Sequence, residues 1–156
     1  MRVILALALA SSSGAALAQG GGSDALAYCS ELKRVVALAA TKERFAAIAG
    51  KPRDGNFRET TLPLTGWRDC ALYGAATYTC DSNEHDSAGE AERTQAVLAQ
   101  QIKACLGEGW AIAAERSSAN YVVLHDVNRP VSITLSTDET ADRKHIVHFT
   151  MFVRRN

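Results

Sequence analysis

The sequence predicts an α+β domain in which two main helices cover one face of an antiparallel sheet of about five to seven strands. Two segments carry apolar residues at helical spacing, and several others alternate apolar and polar residues. Short connections between the alternating segments favour antiparallel neighbours, with the helices on one face. The predicted order of elements is α-β-β-β-α-β-β-β-β.

The first helix is predicted to begin at Asp24, a residue type that caps helix N-termini, and to run to Ala49. Gly50 and Pro52 follow and would end it. Residues 57–64 then predict a strand, which Pro63 would confine to a sheet edge or to the strand's end.

The second helix is predicted from a capping-box pattern, in which Ser87 stands three residues before Glu90. Its apolar positions end at Cys105, and Gly107 follows as a stop signal. Cys105 therefore lies on the apolar face of this helix.

The last third of the chain predicts four strands separated by turns. In residues 145–153 both faces of the strand are substantially apolar, so this strand is expected near the centre of the sheet. Residues 137–144 are charged and predict a loop. The other three strands are expected at 110–114, 121–126 and 131–136.

The first eighteen residues, 1–18, predict a cleaved signal peptide. Arg2 precedes an apolar run, and the segment closes with the small-x-small pattern Ala16-Leu17-Ala18, which places cleavage between Ala18 and Gln19. The apolar run ends at Ser11 and is much shorter than the roughly 20 residues that cross a bilayer. We therefore expect a periplasmic or secreted protein with no transmembrane span.

After cleavage, a glycine-rich lead at 19–23 is expected to be flexible, and residues 24–156 are expected to form a single α+β domain. The full chain has 156 residues, 47% of them hydrophobic and 22% charged, which is typical of a globular protein. Its 17 basic and 17 acidic side chains balance. A neutral chain lacks the basic field that attracts nucleic acid, so no nucleic-acid partner is predicted.

Four cysteines without a CxxC pair predict two disulfides in an exported protein. Cys70 and Cys80 lie at equal distances from Ala75 in a predicted hairpin, which places them opposite each other. Cys29 and Cys105, one on each predicted helix, would form the second bond. The absence of paired ligand spacing disfavours zinc, and oxidation disfavours a cysteine nucleophile.

Other candidates for chemistry are few, and the sequence predicts no cofactor, metal ligand or catalytic residue. His145 and His148 are three positions apart on a strand and should point to opposite faces, so they cannot share a metal. The acidic loop 81–86 is typical of a solvated segment before a helix N-terminus. No nucleophile elbow, phosphate-binding loop or zinc-protease motif is present.

The leading hypothesis is therefore a non-enzymatic exported module that binds a protein partner through a sheet edge or through the loops 81–86 and 137–144. One alternative is a small-ligand carrier with an apolar pocket between helices and sheet. A third is a hydrolase with His125 or His148 as base, which needs a cleft histidine near a carboxylate and a hydroxyl. The candidate ligand contacts are Tyr121, His125, His148 and Phe149.

Overall fold

The computed structural model describes residues 22–74 and 76–154, and it has the predicted α+β class. Two helices, α1 (Gly22–Ala39) and α2 (Ala88–Leu106), pack against an antiparallel sheet. The strands are β1 (Ala49–Pro52), β2 (Phe57–Thr60), β3 (Arg68–Tyr73), β4 (Thr77–Asp81), β5 (Trp110–Ile112), β6 (Tyr121–Asp126), β7 (Val131–Glu139) and β8 (His145–Val153). The predicted signal peptide and its Ala18–Gln19 cleavage point lie outside the described residues.

The predicted bounds of the first helix are wrong at both ends. The helix begins at Gly22, inside the segment expected to be a flexible lead, and ends at Ala39. The Thr41 hydroxyl donates a hydrogen bond to the Leu38 carbonyl (2.8 Å), and Arg44 adopts a left-handed φ of 49° that an α-helix cannot contain. A separate 3-10 helix, Arg44–Ile48, follows.

Strand β1 begins at Ala49, the last residue of the predicted first helix, and contains Gly50 and Pro52, which were predicted to end that helix; with it, the sheet of the described residues has eight strands. Gly50 lies so close to β2 that an added Cβ would stand 3.0 Å from the Glu59 Cβ. Because β1 is an edge strand, it tolerates Pro52, which cannot donate a ladder hydrogen bond. The predicted strand 57–64 correspondingly stops at Thr60.

The sheet order is β1-β2-β3-β4-β8-β7-β6-β5, which arranges the chain as two similar halves. Each half is a helix followed by four antiparallel strands, and the last strands of the halves, β4 and β8, pair at the centre. Asp81 and His148, 67 residues apart, are partners in this pair. The two halves therefore repeat the same order of elements on the two sides of the β4–β8 pair.

The second helix and the central strand follow the sequence prediction closely. The Ser87 hydroxyl accepts a hydrogen bond from the Glu90 backbone N–H (3.3 Å), and Gly107, with a φ of 84°, ends the helix. Strand β8 spans the predicted residues and lies between β4 and β7. Strand β7 continues to Glu139, so the loop predicted at 137–144 begins three residues later.

One face of the sheet packs against the helices and forms the core. Its side chains are apolar and fully buried in the central strands, as for Ile133, Leu135, Phe149 and Met151. The side chains that alternate with them along each strand lie on the opposite face, which carries threonines, serines, His148 and several aromatic rings. No helix of residues 22–74 and 76–154 covers this second face, which includes the exposed Phe57, Tyr73 and Tyr121.

Both predicted disulfides are present. Cys70 and Cys80 join β3 to β4, with Cα atoms 4.0 Å apart, and Cys29 and Cys105 join α1 to α2, with Cα atoms 5.2 Å apart. Two such bonds indicate an oxidising environment. Neither helix of the described chain has the length and apolar content needed to cross a bilayer.

Candidate functional site

A cavity of about 580 Å³ lies between α1, α2 and the turn that precedes β3. It opens to solvent on one side. The walls are mainly apolar and come from three segments that are distant in sequence; they are Asp24, Ala25, Tyr28, Cys29, Thr65, Gly66, Trp67, Leu98, Gln101, Ala104 and Cys105. Its volume falls in the range of small-molecule sites, which is about 300–1,000 Å³.

The turn at residues 65–67 is fixed onto α1 and forms one wall of the cavity. The Glu31 carboxylate accepts hydrogen bonds from the Thr65 backbone N–H (2.6 Å) and hydroxyl (3.0 Å). Gly66 has a φ of 83°, a conformation that favours glycine. Trp67 then packs edge-on against the core residue Phe149, with ring centroids 5.3 Å apart. The indole is therefore held in place before any ligand arrives.

The Cys29–Cys105 disulfide ties the two helical walls together. Both cysteines are half-buried and line the cavity. Because the bond joins α1 to α2 beside the opening, the width of the cavity is constrained covalently. Leu98 and Ala104, from the same part of α2, complete this wall.

Tyr28 contributes an aromatic wall to the cavity. The residue is only 8% exposed, and its hydroxyl oxygen is inaccessible to solvent and lies beside the Trp67 side chain. Burial raises the pKa of this phenol well above its ordinary value, so the hydroxyl keeps its proton at neutral pH. A ligand in the cavity therefore meets the ring of Tyr28 and not its hydroxyl.

A second cleft, of about 350 Å³, lies on the open face of the sheet and contains His148. The Asp81 carboxylate is 2.5 Å from His148 Nδ1, and the Thr79 hydroxyl is 2.9 Å from Nε2. This is the carboxylate–imidazole–hydroxyl arrangement that the hydrolase hypothesis requires. The other lining residues are Arg53, Asp54, Phe57, Asp69 and Ala71.

The details of this cluster favour a structural bond over catalysis. Thr79 is 7% exposed, and its hydroxyl donates to the Phe149 carbonyl (2.9 Å), so a substrate has little access to it. Because the single hydroxyl proton of Thr79 is used on that carbonyl, His148 Nε2–H donates to the Thr79 oxygen and cannot take a proton from it. The hydrogen bond to Asp81 raises the pKa of His148, which stabilises the imidazolium rather than a free base.

The predicted ligand contacts do not form one site. Tyr121 lies on the open face of the sheet, whereas Phe149 is fully buried on the helix face. His125 is on the open face, where its Nδ1 is 3.3 Å from Arg116 Nη2, and its strand is separated from that of His148 by β7. None of the four residues lines the cavity between α1 and α2, whereas His148 lines the second cleft.

The two loops predicted as partner surfaces contact each other. Lys144 donates to the Asp86 carboxylate (2.5 Å), and the backbones of His85 and His145 exchange hydrogen bonds of 2.7 and 3.0 Å. The backbone of His145 is therefore bonded to the 81–86 loop. Across residues 22–74 and 76–154, no three histidine, cysteine or acidic side chains cluster as metal ligands would.

The comparisons with known proteins give no further assignment. Neither the protein-family models, nor the curated proteins, nor the solved structures include a match to this chain. The functional argument therefore depends on the geometry of the two sites.

The sequence reasoning missed the cavity, although two signals pointed to it. Pairing Cys29 with Cys105 already brought Tyr28 and Leu98 into one neighbourhood. The tripeptide Thr65-Gly66-Trp67 places a large aromatic side chain directly after a flexible residue. Neither signal alone shows that space remains between the helices.

Proposed function

We propose that the protein is an exported, disulfide-stabilised and non-enzymatic carrier that binds a small, mainly apolar ligand in the cavity between α1 and α2. The observation that carries this proposal is the cavity of about 580 Å³ itself, whose mainly apolar walls are held by the Cys29–Cys105 disulfide and by the hydrogen bonds of Glu31 to Thr65. Export is supported by the two disulfides and by the sequence pattern of residues 1–18.

The chemistry of the walls supports ligand binding over simple imperfect packing. The cavity is open to solvent on one side, and its volume would hold about 20 non-hydrogen atoms at interior packing density. The turn of residues 65–67 and the disulfide hold the walls apart. A largely pre-formed site of this kind loses little conformational entropy when a ligand binds.

The test is the binding of Nile red, an uncharged fluorophore, to the purified protein. We expect saturable fluorescence with the native chain and at least a tenfold weaker affinity in Ala104→Phe, because the added ring would occupy the cavity. The matched control is Ala96→Phe, an equally exposed position of α2 that does not line the cavity. Equal binding by all three proteins, or no saturable binding, would exclude the proposal.

Export is tested separately by the mass of the protein recovered from cells. Cleavage as proposed gives a chain that begins at Gln19 and carries two disulfides. Recovery of a chain that retains Met1 and four free thiols would refute this part of the proposal.

A protein partner on the open sheet face is the second candidate, and the pair Phe57–Tyr73 favours it. These rings are 5.0 Å apart and are 41% and 48% exposed, so together they present an apolar patch. A photo-crosslinking amino acid at position 57 should give a stoichiometric adduct in the producing cell, whereas the same group at position 96 on α2 should not. Adducts at both positions or at neither would count against this surface.

A further inference from the structure

We infer that the ligand of the cavity is an organic amine with a compact apolar body, and that carboxylates are poor ligands. This inference rests on the proposed carrier function. It comes from the hydrogen-bonding groups and charges that the wall presents.

The wall presents hydrogen-bond acceptors where a ligand headgroup would lie. The carboxylate of Asp24 accepts only. The Thr65 hydroxyl gives its hydrogen to Glu31 (3.0 Å), so only its lone pairs remain for a ligand. The Gln101 side-chain amide can accept or donate. The donor groups of Tyr28 and Trp67 lie beside each other, and the Tyr28 hydroxyl is inaccessible to solvent. A ligand that donates hydrogen bonds therefore finds more accessible partners than one that only accepts.

The charged groups of the wall also favour a ligand that is a cation. Among the described residues that line the cavity, Asp24 has the one carboxyl group, and no lysine, arginine or histidine lies in this set. Asp24 is in the first turn of α1, where the positive end of the helix dipole, equivalent to roughly half a unit charge, offsets part of the negative charge. The full charge of a carboxylate exceeds that of the dipole, so the net local charge favours a cation.

The aromatic walls suit the apolar body of such a ligand. Trp67 and Tyr28 offer ring surface, and an ammonium group near an indole gains a cation–π attraction. Leu98, Ala104 and the sulfurs of the disulfide extend the apolar surface. The volume limits the body to about 20 non-hydrogen atoms, which excludes long or bulky lipids.

The experiment uses three probes that share one apolar body, namely phenylbutylamine, phenylbutanol and phenylbutanoate, as competitors for bound Nile red. At low ionic strength we expect the amine to bind about tenfold more tightly than the carboxylate, with the alcohol between them. In Asp24→Asn the preference for the amine over the alcohol should fall about threefold, while the affinity of the alcohol stays unchanged. Added salt should weaken the amine alone.

The outcomes separate this inference from the proposed function. If the carboxylate competes as well as the amine, or if Asp24→Asn leaves the order unchanged, the ligand class is wrong while the cavity remains a binding site. Displacement of Nile red by none of the three probes would also refute the amine class. If Nile red itself fails to bind in a manner sensitive to Ala104→Phe, the carrier function is what fails.

Discussion

Asp81 and His148 face each other across the central β4–β8 pair, with the carboxylate 2.5 Å from Nδ1 of the imidazole. The pair lies where the two halves of the chain meet. On the other side of the ring, Nε2 is 2.9 Å from the Thr79 hydroxyl, which also bonds to the backbone of β8. The histidine thus links the halves through side chains as well as through the strand ladder.

The Asp81–His148 bond predicts that stability depends on pH. Because the folded pKa of His148 is raised above 6.5, the folded state binds more protons, and the stabilisation is fully present below pH 6.5. It is lost as pH rises through the folded pKa. We expect a loss of about 1 kcal/mol or less, since the imidazole is 37% exposed and water screens the pair.

Urea unfolding of the native chain and of His148→Gln from pH 6 to pH 9 measures this effect. The difference in free energy of unfolding between the two proteins should shrink as pH rises. A constant difference across the range would show that the charge of His148 does not stabilise the fold.

The two disulfides should differ in their contribution to stability. The Cys29–Cys105 bond spans 76 residues and the Cys70–Cys80 bond spans 10, so chain entropy predicts about 4.5 and about 2.7 kcal/mol. Urea unfolding of the two double Cys→Ala variants compares them. We expect the variant without Cys29–Cys105 to be the less stable, and the reverse order would contradict the entropic account.

Gln95 is a buried polar anchor between α2 and the sheet. It is 1% exposed, and its side-chain amide donates to the Leu135 carbonyl in β7 (2.8 Å). Gln95→Ala removes this bond and leaves a cavity, so the free energy of unfolding should fall by about 2–3 kcal/mol. Gln100→Ala, at an exposed position of the same helix, should change it by less than about 0.5 kcal/mol. Similar effects of both substitutions would disprove the anchor.

Asp126 stabilises the turn between β6 and β7 and is 2% exposed. Its carboxylate accepts hydrogen bonds from the backbone N–H groups of Asn128 (2.8 Å) and Arg129 (3.2 Å) and from Arg129 Nε (2.5 Å). Asp126→Ala should lower the free energy of unfolding by about 3 kcal/mol, because three donors lose a charged acceptor.

Asp126→Asn is the matched variant, since an amide oxygen still accepts from the two backbone N–H groups. Thermal and urea unfolding should show a loss of about 1 kcal/mol for this variant. Equal losses for Ala and Asn would mean that the negative charge, and not the turn, carries the effect.

The sequence predicted the elements whose periodicity is strong and missed those that tertiary contacts create. Alternation over nine residues was sufficient to place β8, and the Ser87 cap was sufficient to place α2. The segment from Ala46 to Ala49 has high helix propensity. Ala49 and Gly50 nevertheless form a strand, because the hydrogen bonds and contacts made by pairing with β2 outweigh that propensity.

The sites were less predictable because they depend on geometry between distant segments. Nothing near His148 in the sequence specifies that β8 pairs with β4 in the register that places Asp81 opposite it. The cavity is harder still to predict from the sequence. Apolar spacing identifies which faces of α1 and α2 pack together, but it does not show how much space is left between them. The one sequence feature that linked the two helices was the predicted Cys29–Cys105 disulfide, which followed from the expectation that the protein is exported.

The division of the chain into two αββββ halves has a consequence for proteolysis. The halves are connected by residues 82–87, where Asn83 and Glu84 are exposed. Cleavage of the Asn83–Glu84 peptide bond would leave each fragment with a helix and a complete four-stranded meander. The fragments would stay joined through the β4–β8 ladder and the Cys29–Cys105 bond. Nicked protein should therefore migrate as one species until a reductant and a denaturant are both added.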